Sequence, residues 1–428
     1  MKLRKSLPSS AALCVIVAAN LAPSFTNSLS ADDWTRFRGP NGSGVSDAKH
    51  IPVEITAADI NWTTILGIGH SSPVVVGDKI FLTAEDSEKN TRSLLCLSVK
   101  SGKKLWEKSK DFEKHSSHRY NNFASATPAA DADRVYVSWT TGETHEVRAF
   151  SHAGEEVWTK VLGHFSEPHG SSSSPIIAGN MLLVGNDHAL DGSYLAGLSK
   201  ADGEMKWQIK RNTIKGSFST PTLFTPKNDK PQAIYSSNPK TLTAVDPETG
   251  KILWEYSDAF GKAIRTVASP VVVGDFIFAS AGQGSGGRGS VIIKPPGKNG
   301  KPEEAWEMTN GLPYVPTPVA YKGLLFVLAD SGTMTCVNAK TGEEAWKERV
   351  AGETYSSPIC IDGKIYCFSR RGEMAVVAAK DAFEPLGKHN FQSDVHATPA
   401  VAGGRLYVRT EKKLISIGGE PEEEPAGE

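Results

Sequence analysis

Eight times along the 428-residue chain a small hydroxylated residue is followed at once by proline and then by a short apolar run. The pairs are Ser72-Pro73, Thr127-Pro128, Ser174-Pro175, Thr220-Pro221, Ser269-Pro270, Thr317-Pro318, Ser357-Pro358 and Thr398-Pro399, spaced about 40 to 55 residues apart. Self-similarity at that period is the mark of propeller blades. Behind each proline comes hairpin chemistry, as in PVVVGDKIFLTA, where a Gly77-Asp78 turn parts two β-branched stretches. A third strand follows, such as TLTAVD or GTMTCVN, then a Thr-Gly turn and a fourth strand bearing tryptophan. No helical periodicity intervenes. The pattern predicts an all-β, eight-bladed β-propeller of four-stranded antiparallel blades.

Trp106, Trp158, Trp207, Trp254, Trp306 and Trp346 fall at one place in the fourth strand, and Trp62 stands alone ahead of the first repeat. A large flat ring there can pack on the neighbouring blade while its N–H finds a carbonyl, which casts these tryptophans as docking groups. The seventh repeat, KDAFEPLGKH, has neither Thr-Gly nor Trp, and the eighth stops one strand short. The stretch ADINWTTIL at 58–66 is expected to supply that strand and close the ring, hiding the sheet edges.

Formal charges cancel to −1, so no basic face is imposed and nucleic acid is not an expected partner. Lys2, Arg4 and Lys5 precede an apolar run and small residues, the layout of a secretory signal over 1–30, so the mature chain is expected outside the cytoplasm, periplasmic or secreted. Cys14 follows Leu13 within that run, which is not the layout of a lipid-attachment site. The remaining domains read as an extended segment at 31–57, the propeller at 58–419 and a disordered acidic tail at 420–428. No other stretch is long enough to span a membrane. Cys96, Cys336, Cys360 and Cys367 lie apart in apolar strands and read as buried thiols, with no disulfide framework. A monomer is expected.

The stretch Val245-Asp246-Pro247-Glu248-Thr249-Gly250-Lys251-Ile252-Leu253-Trp254 resembles the tryptophan-docking motif of quinoprotein-like propellers, and the likeness runs over nearly the whole mature chain. That family includes alcohol dehydrogenases that use pyrroloquinoline quinone (PQQ), and the non-enzymatic propeller lipoprotein of the outer-membrane β-barrel assembly machinery. WTRFRGPNGSGVS, RYNNFASATP and FSRRGEMAVV are similar to secreted PQQ-repeat proteins of planctomycete-type bacteria. For the enzyme branch the resemblance implies PQQ with Ca²⁺, a vicinal disulfide and an oxidoreductase. This chain has no adjacent cysteines and no haem motif, so the expectation is a binding or scaffold module for a protein or polysaccharide, without cofactor.

Loops before the first strand and between the second and third strands of each blade emerge on one face. The residues written there are His118, Asn122, His169, Asp187, His188, Lys215, Arg265, Arg288, Tyr355, Arg370 and His396, a polar and locally cationic set in which Lys215, Arg265, Arg288 and Arg370 would attract an anionic ligand, although solvated surface charge is the commoner reading of such residues. His118, His169, His188 and Asp187 would be the donors for a metal ion, but solvated or carbonyl-bonded loop histidines are the commoner case and no metal is expected. GQGSGGRGS joins two strands without a helix, so it is a hairpin loop and not a phosphate cradle.

Overall fold

The computed structural model describes residues 29–419 apart from 31, 142–143, 168, 171, 189–191, 212, 214, 238–241, 258–259, 261–264, 285–286 and 298–299. The expected signal and acidic tail fall outside the described residues, save for Leu29 and Ser30 of the signal. Eight sheets form an eight-bladed propeller, and the helical content among the described residues is two single 3₁₀ turns, Pro40–Gly42 and Ala57–Asp59. Blade 1 shows the plan. Val74–Val76 lines the axis, Lys79–Asp86 and Thr91–Ser98 follow outward, and Lys104–Asp111 forms the rim, all antiparallel.

Blade 8 closes the ring as the sequence led us to expect. Its inner strands Ala400–Ala402, Arg405–Arg409 and Lys413–Ile417 are completed by Ile60–Ile65, antiparallel, with Trp62 opposite Ser416. The innermost strands of blades 8 and 1 are in contact, so no sheet edge faces the seam.

The core is a series of layers between blades. Each sheet is apolar on both faces and buries them against its neighbours: Phe224, Ile234 and Trp254 of blade 4 meet Ile277, Val291 and Ile293 of blade 5, for example. A β-bulge in every outer strand pairing breaks the register beside the tryptophan position. Such a bulge increases local twist and re-aims a side chain. The Nε1 of Trp207 donates to Pro247 O at 2.9 Å, and those of Trp62, Trp106, Trp158, Trp306 and Trp346 donate to Val99, His152, Lys200, Ala339 and Lys380 carbonyls. In each case the acceptor belongs to the next blade. Gly250 shows why glycine is needed in the turn: its φ is +72°, and a Cβ there would lie 2.6 Å from the Trp207 ring.

Trp254 differs. Its Nε1 donates to the Gln232 side chain of its own blade at 2.8 Å, because blade 5 carries Pro295-Pro296-Gly297 where blades 1 to 4 and 6 present a turn opened by Ser, Asp or Asn. Blade 7 differs in another way. Gly387 occupies the tryptophan position opposite Val376, and a Cβ on it would lie 2.4 Å from Val53 O. The segment around Val53 fills the gap that an indole fills elsewhere: Ile51 and Ile55 are buried among Tyr366, Val376, Tyr407 and Ile417.

The leader before Val53 crosses the far end of the channel. Trp34 bridges Val75 of blade 1, Thr35 O accepts from Ala130 N of blade 2, and Arg36 Nη2 donates to Pro221 O of blade 4. Arg38 then reaches the carbonyls of Thr317, Pro318 and Pro358 in blades 6 and 7 at 2.7–3.0 Å. Val45–Ser46 ends the crossing as a parallel fifth strand on blade 7.

Candidate functional site

The eight hydroxyls that open the repeats meet at the axis. Ser72 N donates to Thr127 Oγ1 at 2.9 Å, Thr127 N to Ser174 Oγ at 3.0 Å, and Ser174 N to Thr220 Oγ1 at 3.4 Å. The series runs on from Thr220 through Ser269, Thr317 and Ser357 to Thr398 at 3.0–3.1 Å. Seven of the eight hydroxyls, all but that of Ser72, take the backbone N–H of the preceding blade, and the proline after each commits the chain to the extended backbone of the inner strand. All eight line a channel cavity of ≈ 150 Å³. The Ser/Thr-Pro signature therefore encodes a ring of inter-blade hydrogen bonds as well as a strand start.

Above the ring the channel opens into a larger cleft of ≈ 730 Å³. Tyr120, Asn121, Phe218 and Tyr355 border both spaces. At its centre the Arg370 guanidinium lies 4.4 Å from the Tyr120 ring centroid and 4.9 Å from that of Tyr355, and it pairs with Glu353. Arg119 covers Tyr120 at 4.6 Å. Such contacts between cation and ring fix long side chains in one geometry. On one wall Arg288 pairs with Asp330 at 2.9 Å, and Asp330 also accepts from Tyr314 N at 2.7 Å. On another, the buried Glu167 carboxylate takes His169 Nδ1 at 3.0 Å and Gly216 N at 3.1 Å, with Arg265 at 3.7 Å. The His118 and His169 rings stack with centroids 5.8 Å apart.

Beneath the cleft, His396 Nδ1 and His70 Nε2 are 2.9 Å apart. Burial, helped by His396 and Arg409, pushes His70 down to about 3, and burial lowers His396 too. Both rings are neutral at pH 7, sharing one hydrogen bond. Arg409 is fully buried and donates to Ser71 O and Oγ at 2.9 and 2.7 Å.

Of the residues singled out from sequence, His118, His169, Arg265, Arg288, Tyr355 and Arg370 line the cleft, and His396 lines the channel. The other four are elsewhere. Asn122 is buried and accepts from Ala124 N, holding its own loop. Asp187 is buried beside Arg211 at 3.6 Å, with burial raising its pKa against the pull of that arginine. His188 is fully buried, packed edge-on to His164 and Phe165. Lys215 lies partly exposed in the loop before blade 4, off both cavities. The four candidate metal donors are thus divided, and among the described residues no group of three or more His, Cys, Asp or Glu is placed to hold a metal ion. Tyr120, Arg119, Asp330, Glu353, Glu167 and His70 were not singled out. Tyr120 lies within RYNNFASATP, a stretch that carried the family resemblance, and two residues after His118, which was singled out in the same loop.

The profile of the family described as outer membrane protein assembly factor BamB matches residues 90–308 and 299–384, more than half of the chain. A protein of that name from Moranella endobia (strain PCIT) is 22% identical over 371 residues, spanning 81% of this chain and 87% of the relative. Among solved structures, BamB from Moraxella catarrhalis superposes with a TM-score of 0.60 at 14% identity, covering 85% of this chain and 99% of that one. A quinohemoprotein alcohol dehydrogenase from Comamonas testosteroni gives 0.62 at 13% identity, covering 96% and 84%. At such identities these structures speak to the fold alone.

Proposed function

The chain belongs to the family of outer membrane protein assembly factor BamB, and from that premise we propose that it is an exported, non-catalytic propeller that binds a protein partner in outer-membrane assembly. The binding face is the cleft around the open channel mouth. One observation carries this placement: Tyr120, Tyr314, Tyr355, Arg119, Arg288 and Arg370 converge there, held rigid by ion pairs and ring contacts on a closed scaffold. Tyr and Arg are the residues that concentrate binding energy at protein interfaces. Pre-ordered side chains also lose less freedom on association.

A polysaccharide fits less well, since guanidinium groups already cover the Tyr120 and Tyr355 rings on which a sugar would stack. Calcium-bound PQQ, which the dehydrogenase branch uses, does not fit the donor set. The calcium would need carboxylate oxygens, yet Asp330, Glu353 and Glu167 are each engaged by arginine, and Asp330 and Glu167 by backbone N–H groups as well. Export is likewise proposed; among the described residues no helix is long and apolar enough to cross a membrane.

The test is made in the cells that produce the protein. Deleting the gene should lower the amount of folded, heat-modifiable β-barrel protein in the outer membrane, and a Tyr355→Ala, Arg370→Glu variant expressed at wild-type level should reproduce the defect. Unchanged barrel levels on deletion would defeat the assembly reading. Full rescue by the double variant would remove this face from it.

A further inference from the structure

The channel ring and the arginines around it point to a second site, deeper along the axis than the cleft into which the channel opens. Arg36, Arg38 and Arg409 are all buried, and none has a carboxylate within ion-pair distance among the described residues. Their hydrogen bonds go to neutral oxygens instead. Arg36 donates to Pro221 O, Arg38 to Thr317 O and Arg409 to Ser71 O. Each of these acceptors is a ring residue or its immediate chain neighbour. Burial pulls Arg36, Arg38 and Arg409 down to about 9, so all three remain cationic at neutral pH. Three uncompensated buried charges are costly unless something of opposite sign is near.

The channel offers a place for it. No acidic residue lines the ≈ 150 Å³ cavity. Among the described residues none of the eight ring hydroxyls donates to a protein acceptor, while seven of their oxygens already accept a backbone N–H. The O–H groups are thus left as donors around one axis. A cation would find one lone pair of seven of these oxygens already taken, and a positive surround. An acceptor of negative charge would find both donors and attraction.

We propose that the axial channel is a binding site for a small inorganic anion of halide size, held by the ring hydroxyls and by the field of Arg36, Arg38 and Arg409. The anion offsets the buried charge of the leader and of blade 8, and so couples the far-mouth strap to the ring. Water alone filling the channel is the competing account.

Bromide separates the two. The purified protein is melted in sodium gluconate, an anion much larger than a halide, with bromide replacing gluconate from 0 to about 100 mM at constant ionic strength. Ligand linkage should raise Tm by about 2 °C and saturate, and crystals grown in bromide should show an anomalous peak on the axis at the level of the hydroxyls. Val267 is half-buried on the channel wall. Val267→Asp, which adds a negative charge there, should abolish the bromide-dependent shift, whereas Val267→Asn should keep it. A Tm indifferent to bromide, an unsaturable shift equal in both variants, or an axial peak without any thermal effect, meaning an adventitious ion only, would each overturn the proposal.

Discussion

Removing one indole and the glycine beneath it in a double-mutant cycle probes what holds adjacent blades together. Trp207 is 8% exposed, its Nε1 bonds Pro247 O, and Gly250 of the next blade touches its ring edge to backbone. Trp207→Ala deletes a buried ring and orphans a carbonyl, a loss of about 3–5 kcal/mol. Gly250→Ala alone forces a Cβ to 2.6 Å from the ring at a φ of +72°. That costs about 1–2 kcal/mol for the left-handed backbone and about 1–3 kcal/mol for overpacking. In the Trp207→Ala background the ring atoms at 2.6 and 2.7 Å are gone but the Cβ at 2.8 Å remains, so the backbone part and a reduced clash persist. The double variant should therefore be less destabilised than the sum of the singles, by a part of the overpacking cost that still reaches about 1 kcal/mol. Equilibrium urea unfolding followed by far-UV circular dichroism measures the cycle. Additivity within about 0.5 kcal/mol would refute the docking of Trp207 on Gly250 as a stabilising contact.

Two further outcomes follow from buried groups. Burial holds His70 at about 3 and His145 at about 4, below the ordinary value near 6.5, so the unfolded chain binds more protons between those limits and stability must fall as pH drops through that window. Each such histidine costs up to about 2 kcal/mol between pH 6.5 and 5; urea unfolding at the two pH values should show a smaller difference for His145→Gln than for wild type, and an identical difference would contradict the burial argument. Gly387→Ala should push Val53 off blade 7, since the new Cβ meets a backbone oxygen at 2.4 Å; limited proteolysis should then cut within 47–57 at least tenfold faster, and unaltered protection would mean that the leader does not depend on that glycine.

The ring was legible because its signals are local and repeated. A hydroxyl with proline, a tight glycine turn and a tryptophan recur at a propeller-like period with strand chemistry between them, and even the lone strand with Trp62 could be assigned to blade 8 by counting. The leader was not legible. Its path depends on Arg38 reaching carbonyls 279 to 320 residues away, and nothing periodic in WTRFRGPNGSGVS announces that. The site was legible in part for a related reason. Sequence position says on which face a loop emerges but not whether its side chain turns outward. Asp187 and His188 turned inward between blades, where the loop needed partners, while Arg288 and Arg370 stayed on the cleft because Asp330 and Glu353 hold them there. Tyr120 escaped notice since an aromatic in a loop reads as core until the cation beside it is known.

Blade 7 shows how these parts depend on each other. It alone lacks the indole, and the two strands that the N-terminal segment contributes, Val45–Ser46 on its inner edge and Ile60–Ile65 on the rim of blade 8, bracket the seam at which it stands. Between them Ile51 and Ile55 occupy the space between blades 7 and 8, with Tyr366 donating its hydroxyl to Ile51 O at 3.0 Å. A tryptophan at position 387 would compete with Val53 for the same volume. Loss of the indole and arrival of the leader are thus one structural solution: the seam is sealed by a segment that also lies across the far mouth of the channel. With Trp34, Phe37 and Arg38 across that end, a partner approaching along the axis meets an open cleft on one side only, the side where Arg370 stands between Tyr120 and Tyr355.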